Sequence, residues 1–324
     1  MSGEVVLGVD VGGSTISAGL VAPDGEVLSQ VDAPTRTAGP GTALATLLSL
    51  IDQLLGEAKA QGQRILGIGA GVPGAVDAER GVVGADVQNV PELAGYPLAA
   101  ELRRVSALPA FIDNDVNALA LAEWRFGAGR GARSLVLLAL GTGVGSGIIL
   151  DGRLVRGVAG YGGELGHVSI NFDGRPCFCG GRGCLKAYVA GPDIAAEARR
   201  RLPEQDSALV GLAGGDPLAI TAAHVFQAAA EGDRLAAALV DEVCQALGAG
   251  IAAVVNGLNP ELILVTGGVA ASLKPLEAVI LRWAGSYAFA RALQATRISV
   301  VPLDKRATVR GGTALFLYET ERSR

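Results

Sequence analysis

Four cysteines in 324 residues are too few to staple a chain of this size, so no disulfide framework is expected. Acidic side chains outnumber basic ones, giving a net charge of −5, and this disfavours a nucleic-acid partner because phosphate binding needs a basic face. The arginine run Arg199-Arg200-Arg201 is soon followed by acidic residues and reads as a solvated helix end. No basic stretch with an apolar segment behind it precedes the first strand, so no targeting signal is read. Apolar runs such as 134–140 and 251–255 fall far short of the ~20 residues of a bilayer span. These absences predict a cytoplasmic protein with no membrane partner. Two common nucleotide motifs are missing as well. No Gly-Lys-Ser/Thr follows the glycine turns, and neither of the two strand-joining turns opens a helix as a dinucleotide fingerprint does.

Half of the residues are hydrophobic, which is enough for two packed cores, and 47 glycines are scattered among apolar strands as at tight turns and close backbone approaches. Residues 5–9 read as a buried strand, 16–21 as a second, and Pro23-Asp24-Gly25 as the turn into a third at 26–33. Leu44, Leu47, Leu48, Ile51, Leu54 and Leu55 have a helical period within 41–61. Strand 65–70, helix 98–105, strand 110–112 and helix 117–126 follow, an α/β alternation. Strand 135–140, a Gly-Thr-Gly turn, strand 144–150 and Asp151-Gly152 then repeat the opening arrangement, suggesting two related domains. Helices are expected at 194–201, 219–230, 234–256, 276–283 and 313–321, with strands at 262–265 and 298–301.

Three constellations carry chemistry. Asp10-Val11-Gly12-Gly13-Ser14-Thr15 and Gly141-Thr142-Gly143 each join two strands through glycines, and Thr266-Gly267-Gly268 ends another strand. Glycine lets backbone N–H groups approach phosphate, and the hydroxyls add donors. Ordinary hairpins are the competing reading; three such turns favour a nucleotide clamp, with Asp10 placed to hold Mg²⁺ through water. In Asp113-Asn114-Asp115-Val116-Asn117 a single polar residue would suffice as a helix cap, yet four are present. Asp115 is the candidate general base for phosphoryl transfer and Asn114 its hydrogen-bonding neighbour. Third, His167, Cys177, Cys179 and Cys184 fall within eighteen residues, a Cys₃His set suited to structural Zn²⁺. Unrelated buried thiols or a local disulfide are the alternatives, the latter disfavoured by Cys-x-Cys strain. Cys244 and His224 lie isolated in helices and read as structural.

With Glu164-Leu165-Gly166-His167 and Cys177-Phe178-Cys179-Gly180-Gly181-Arg182-Gly183-Cys184 in view, the chain resembles the ROK family of repressors and sugar kinases from the Asp10 turn to Gly311-Gly312. The resemblance implies an α/β fold of the actin-like ATPase (ribonuclease H-like) type, in two domains with nucleotide and sugar in the cleft between them. The small domain is expected at 1–115, with a C-terminal helix at about 305–324 packing back on it, and the large domain at 116–304. By the same resemblance Gly12, Gly13, Ser14, Thr15, Gly141, Thr142 and Gly143 meet the phosphates of ATP, and Gly267 and Gly268 lie near the adenosine. Asp115 activates the terminal hydroxyl of the sugar, Asn89, Asn114, Glu164 and His167 bind other hydroxyls, and the chain forms a homodimer. Glucose is the first expectation, with N-acetylmannosamine, N-acetylglucosamine or fructose as alternatives. The first strand begins too early to leave room for a repressor's helix-turn-helix. One residue departs from the pattern: Lys186 follows Cys184-Leu185 where family kinases carry a glutamate that binds the anomeric end. Lys186 either turns to solvent, pairs with Glu164 and reshapes the pocket, or recognises an acidic acceptor, the first two being favoured. Loss of turnover through Lys186, leaving a sugar sensor, is the alternative from another class.

Overall fold

The apolar run at 5–9 is the buried centre of strand β1 (Glu4–Val11), flanked by the polar ends that a strand emerging from a core requires. After the glycine turn the chain returns antiparallel as β2 (Thr15–Val21) and again as β3 (Val27–Pro34). The Asp24 carboxylate accepts the Glu26 N–H at 3.0 Å and Gly25 takes φ 94°, which closes the second turn. Helix α1 (Ala43–Ala60) buries Leu47, Leu50, Ile51, Leu54 and Ala58 on one face. Strand β4 (Arg64–Val72) lies parallel to β1; a short hairpin β5 (Val76–Asp77)/β6 (Val82–Val83), helix α2 (Leu98–Ser106), strand β7 (Ala110–Asn114) and helix α3 (Asp115–Phe126) follow. The first sheet is ordered β3-β2-β1-β4-β7. The structure, a computed structural model, describes residues 3–85, 87, 89–202, 207–302 and 306–323.

A second sheet is built the same way. Strands β8 (Leu135–Leu140), β9 (Val144–Leu150) and β10 (Arg153–Leu154) run antiparallel, with Asp151 and Gly152 both at positive φ in the β9–β10 turn. The helices α4 (Lys186–Val189), α5 (Gly191–Arg201), α6 (Leu209–Leu212), α7 (Ala222–Ala230) and α8 (Arg234–Leu258) precede β11 (Leu262–Thr266). Then come α9 (Ala270–Leu273), α10 (Glu277–Tyr287), α11 (Ala290–Ala295) and β12 (Arg297–Val300). The order β10-β9-β8-β11-β12 reproduces the first sheet, three antiparallel strands and then two parallel ones, so the repeat in the sequence is a repeat of topology.

Two sequence expectations change. Helix α8 is long and apolar enough by length and composition to cross a membrane, although isolated polar residues break up its apolar runs; 67 % of its most apolar window is buried in the protein. The arginines ending α5 are not simply solvated. Arg200 and Arg201 both pair with Glu197, whose carboxyl is brought down to about 2 chiefly by the Arg200 hydrogen bond, and Arg201 also pairs with Glu242 on α8.

The chain divides into two compact units: Met1–Arg133 with Gly147–Gly163 and Asp304–Arg324, and Ser134–Ser146 with Glu164–Leu303. The last helix, α12 (Arg306–Arg322), belongs to the first unit and packs on β1, β4 and α3. It begins before residue 313, where the periodic pattern alone starts it, and it takes in Gly311-Gly312. Those glycines sit inside the helix because it approaches the sheet backbone to backbone. A Cβ on Gly312 would stand 2.2 Å from the Gly69 carbonyl oxygen and 2.5 Å from the Val9 nitrogen. Gly312→Ala is therefore expected to lower stability by about 2 kcal/mol despite the better helix propensity of alanine. Gly56→Ala in α1, where a Cβ meets nothing within 4 Å, should raise it by ~0.5–1 kcal/mol. Urea midpoints of the two variants check the pair, and equal effects would refute the close-approach account.

Candidate active site

In the first unit the strand register assembles the carboxylates. Asp10 pairs in register with Gly71 on β4, and Gly71 with Asp113 on β7, so the three positions line up across the C-terminal ends of parallel strands. Gly71 leaves the gap between them: a Cβ there would stand 3.1 Å from the Asp115 Cα and 3.7 Å from Asp10 Oδ1. Burial, and then the Asp115 carboxylate, push the Asp10 carboxyl up to about 7.

The four polar residues at the start of α3 divide their work. Asp113, 2 % exposed, accepts from the Asn114 N–H at 2.7 Å, from Asn117 Nδ2 at 2.9 Å and from Arg156 Nε at 2.6 Å. Arg156 also binds Glu319 on α12. Asn114 is the helix cap: its Oδ1 accepts the N–H groups of Val116 and Asn117 at 2.9 and 3.1 Å while its amide donates to the Gly74 carbonyl at 3.0 Å. The capping reading of this segment thus belongs to Asn114, and Asp115 is the carboxylate that faces Asp10 electrostatically.

The turn at Gly12 is fastened from outside the motif. Its N–H donates to Thr15 O at 2.9 Å, and buried Thr35 donates its hydroxyl to Gly12 O at 2.6 Å and its N–H to Ser14 O at 2.9 Å. Arg36 donates to Gly13 O (3.4 Å) and Asn89 O (3.0 Å), and its ion pair with Glu92 holds that carboxyl below its usual range. Sequence reading named Asn89 but missed Thr35 and Arg36; no local pattern marks a link spanning 53 residues.

In the second unit, Gly141 N–H donates to Gly143 O at 2.9 Å, and Gly141 O accepts the Gly191 N–H that begins α5 at 2.9 Å. Gly267 has φ 101° and packs so that a Cβ would meet Leu140 O at 2.4 Å. At Gly141, Gly143 and Gly268, in contrast, a Cβ would meet nothing within 4 Å. Packing explains the first glycine. The other three keep backbone open, the property a phosphate or nucleotide cradle uses.

The same unit holds the Cys₃His set. Donor atoms of His167, Cys177, Cys179 and Cys184 lie within 4.8 Å of one another, with His167 Nδ1 3.5 Å from Cys177 Sγ and Cys179 Sγ 3.7 Å from Cys184 Sγ. Gly183, at φ 66°, brings the loop against Asn171, and Arg175 ties it to Glu242 on α8 at 2.7 Å. Burial pushes the Cys184 thiol up to about 12, whereas the Gly181 N–H holds Cys179 below the usual thiol range. Gathered thiols of opposite tendency suit a cation that enforces the thiolate state on all of them. Lys186 neither turns to solvent nor pairs with Glu164: its ammonium lies 2.9 Å from Asp193 and 4.7 Å from the Phe178 ring centre.

The family model for the ROK family matches residues 6–319. The chain belongs to the ROK family. Its fold is accordingly the actin-like ATPase fold of the ROK sugar kinases. It is 38 % identical to the glucokinase of Thermotoga maritima over 82 % of each chain, and 35 % identical to that of Halalkalibacterium halodurans over 96 % of this chain and 94 % of the other. The crystal structure of a Streptomyces griseus ROK glucokinase in complex with glucose and AMPPNP superposes with a TM-score of 0.75 at 31 % identity, covering 98 % of this chain and 99 % of that one. A ROK transcriptional regulator homologous to Escherichia coli Mlc gives 0.85 at 30 % identity, covering 98 % of this chain and 78 % of that one.

Within this ROK chain the ion group Asp113–Arg156–Glu319 is open to a single-residue test. Arg156→Leu removes the cation and leaves one buried and one partly buried carboxylate, for an expected cost of about 3–5 kcal/mol. Arg156→Lys should recover only part, since a point charge cannot bridge both carboxylates as the guanidinium fork does. Urea unfolding of the three proteins measures this, and a Leu variant within 1 kcal/mol of the parent, on a scale where such losses are about 3 or more, would contradict it.

Proposed function

We propose that the protein is an ATP- and Mg²⁺-dependent hexose kinase that phosphorylates glucose at its terminal hydroxyl. The observation that carries this reading is the pair of neighbouring carboxylates Asp10, at the end of β1 where the Gly12 turn begins, and Asp115, at the start of α3. Asp115 accepts the proton of the sugar hydroxyl as its oxygen attacks the γ-phosphorus; the bond to the bridging β–γ oxygen breaks and ADP leaves. Asp10 is an oxygen donor of the kind Mg²⁺ takes, directly or through water, and the metal when bound neutralises phosphate charge. Gly13, Ser14 and Thr15, and Thr142, Gly143, Gly267 and Gly268, supply N–H and hydroxyl donors for the nucleotide, while Gly12 and Gly141, whose N–H groups close their own turns, let the backbone come near it. Asn89, Asn114, Glu164 and His167 supply acceptors and donors for sugar hydroxyls. Cys177, Cys179, Cys184 and His167 Nδ1 fit Zn²⁺, which supplies a structural cross-link and leaves the other imidazole nitrogen, Nε2, for the acceptor.

A second reading is a sugar sensor without turnover. It is favoured by the higher TM-score to the transcriptional regulator, 0.85 against 0.75 for the glucokinase. The glucokinase relatives at 38 % and 35 % identity weigh the other way.

Coupled ADP release across glucose, mannose, fructose, N-acetylglucosamine and N-acetylmannosamine separates the two. Turnover highest on glucose is expected, and Asp115→Asn should lower it by about 10²–10⁴-fold without lowering the melting temperature. Sugar binding without ADP release would establish the sensor instead. For the metal, elemental analysis should find about one zinc per chain, and Cys184→Ser should lose it together with cooperative unfolding of the second unit. A metal-free chain of equal stability would exclude that role.

A further inference from the structure

Lys186 begins α4, one residue after Leu185, which is 1 % exposed and packs on α8 where a Cβ at Gly250 would meet it at 2.7 Å. That anchor fixes where the lysine starts. Its side chain is only 15 % exposed, and the ammonium ends at two partners, the Asp193 carboxylate in the first turn of α5 and the face of Phe178. Phe178 is 60 % exposed, so burial does not hold its ring. Its ring contacts are with the cation and with His167, the His167 and Phe178 ring centres lying 5.2 Å apart at 84°, edge to face. A chain of contacts therefore runs from α5 through Asp193, Lys186 and Phe178 to the His167 imidazole.

We infer that Lys186 is a positioning residue that, through Phe178, fixes the plane of the His167 imidazole and so aims its Nε2 at the sugar acceptor. The aim toward sugar rests on the kinase reading above; the clamping of the ring does not. Because Asp193 already neutralises the ammonium, Lys186 acts on the acceptor through His167 and not as a binding site for an acidic sugar. Loosening the imidazole should weaken sugar binding by about five- to tenfold.

The test uses the full-length, untagged, zinc-loaded chain, which has two histidines, so His224 is an internal reference. Long-range ¹H–¹⁵N imidazole spectra of Lys186→Met and Asp193→Asn should show shifted and broadened His167 signals with His224 unchanged and zinc content retained. Lys186→Arg, which keeps charge and stacking, should restore the parent spectrum. In steady-state assays Lys186→Met should raise KM for glucose by about five- to tenfold, with kcat and KM for ATP within about twofold. Unchanged His167 signals in both variants overturn the inference. So does loss of zinc with the shift, which makes Lys186 a support of the whole loop, and so does an unmoved glucose KM in an active enzyme. If the parent phosphorylates no hexose, the kinase reading alone falls, and the spectra still decide whether Lys186 fixes the ring.

Discussion

A buried carboxylate must find a counter-charge, and Asp113 finds one 43 residues away in Arg156. The same guanidinium reaches Glu319, so segments at 113, 156 and 319 converge on one buried ion group within the first unit. The end of β7 is thereby held against α12, and the start of α3 with it. Asp115 is placed by this arrangement: its neighbours Asp113, Asn114 and Asn117 are spent on the ion group, the cap and each other. The carboxylate proposed as general base is thus set by residues to which no chemistry is assigned.

Glycine does two different jobs in this chain, and the structure separates them by what a side chain would strike. At Gly69, Gly312 and Gly267 a Cβ would collide with backbone, so the fold itself requires the residue. At Gly141, Gly143 and Gly268 it would collide with nothing, and the fold has no use for the missing side chain. Glycine loses more freedom on folding than any other residue, so open backbone at these strand ends costs stability without packing in return, which fits the nucleotide cradle proposed for them. Composition alone, with 47 glycines, cannot make that distinction.

Much of the architecture was legible because it is local. Strands β8 and β9 have the bounds their apolar runs suggest, and the glycine-turn repeat along the chain corresponds to two sheets of one topology. The Cys₃His spacing likewise foreshadows donor atoms within 4.8 Å, since a short loop can close only a few ways. What could not be read depends on distant partners. The start of α12 is hidden by Gly311-Gly312, whose reason is the sheet backbone of β1 and β4. Arg36 binds a carbonyl at Asn89, and Lys186 chooses Asp193 over Glu164, through side-chain reach that no period or motif encodes.

The distribution of satisfied and unsatisfied charge is itself an argument about function. In the first unit several acids meet bases: Asp113 and Glu319 share Arg156, Glu92 has Arg36, and Glu321 has Arg125. Asp10 is placed differently, its carboxyl driven up to about 7 by burial beside another acid. Placing two carboxylates together at converging strand ends works against folding, and a purely structural segment gains nothing by it. The cost makes sense where a cation and a proton-bearing hydroxyl enter the same space, one to neutralise the pair and the other to give up its proton. A sensor that only holds a sugar needs neither, so the cluster sits more naturally in a phosphoryl-transfer enzyme than in a binding module of the same fold.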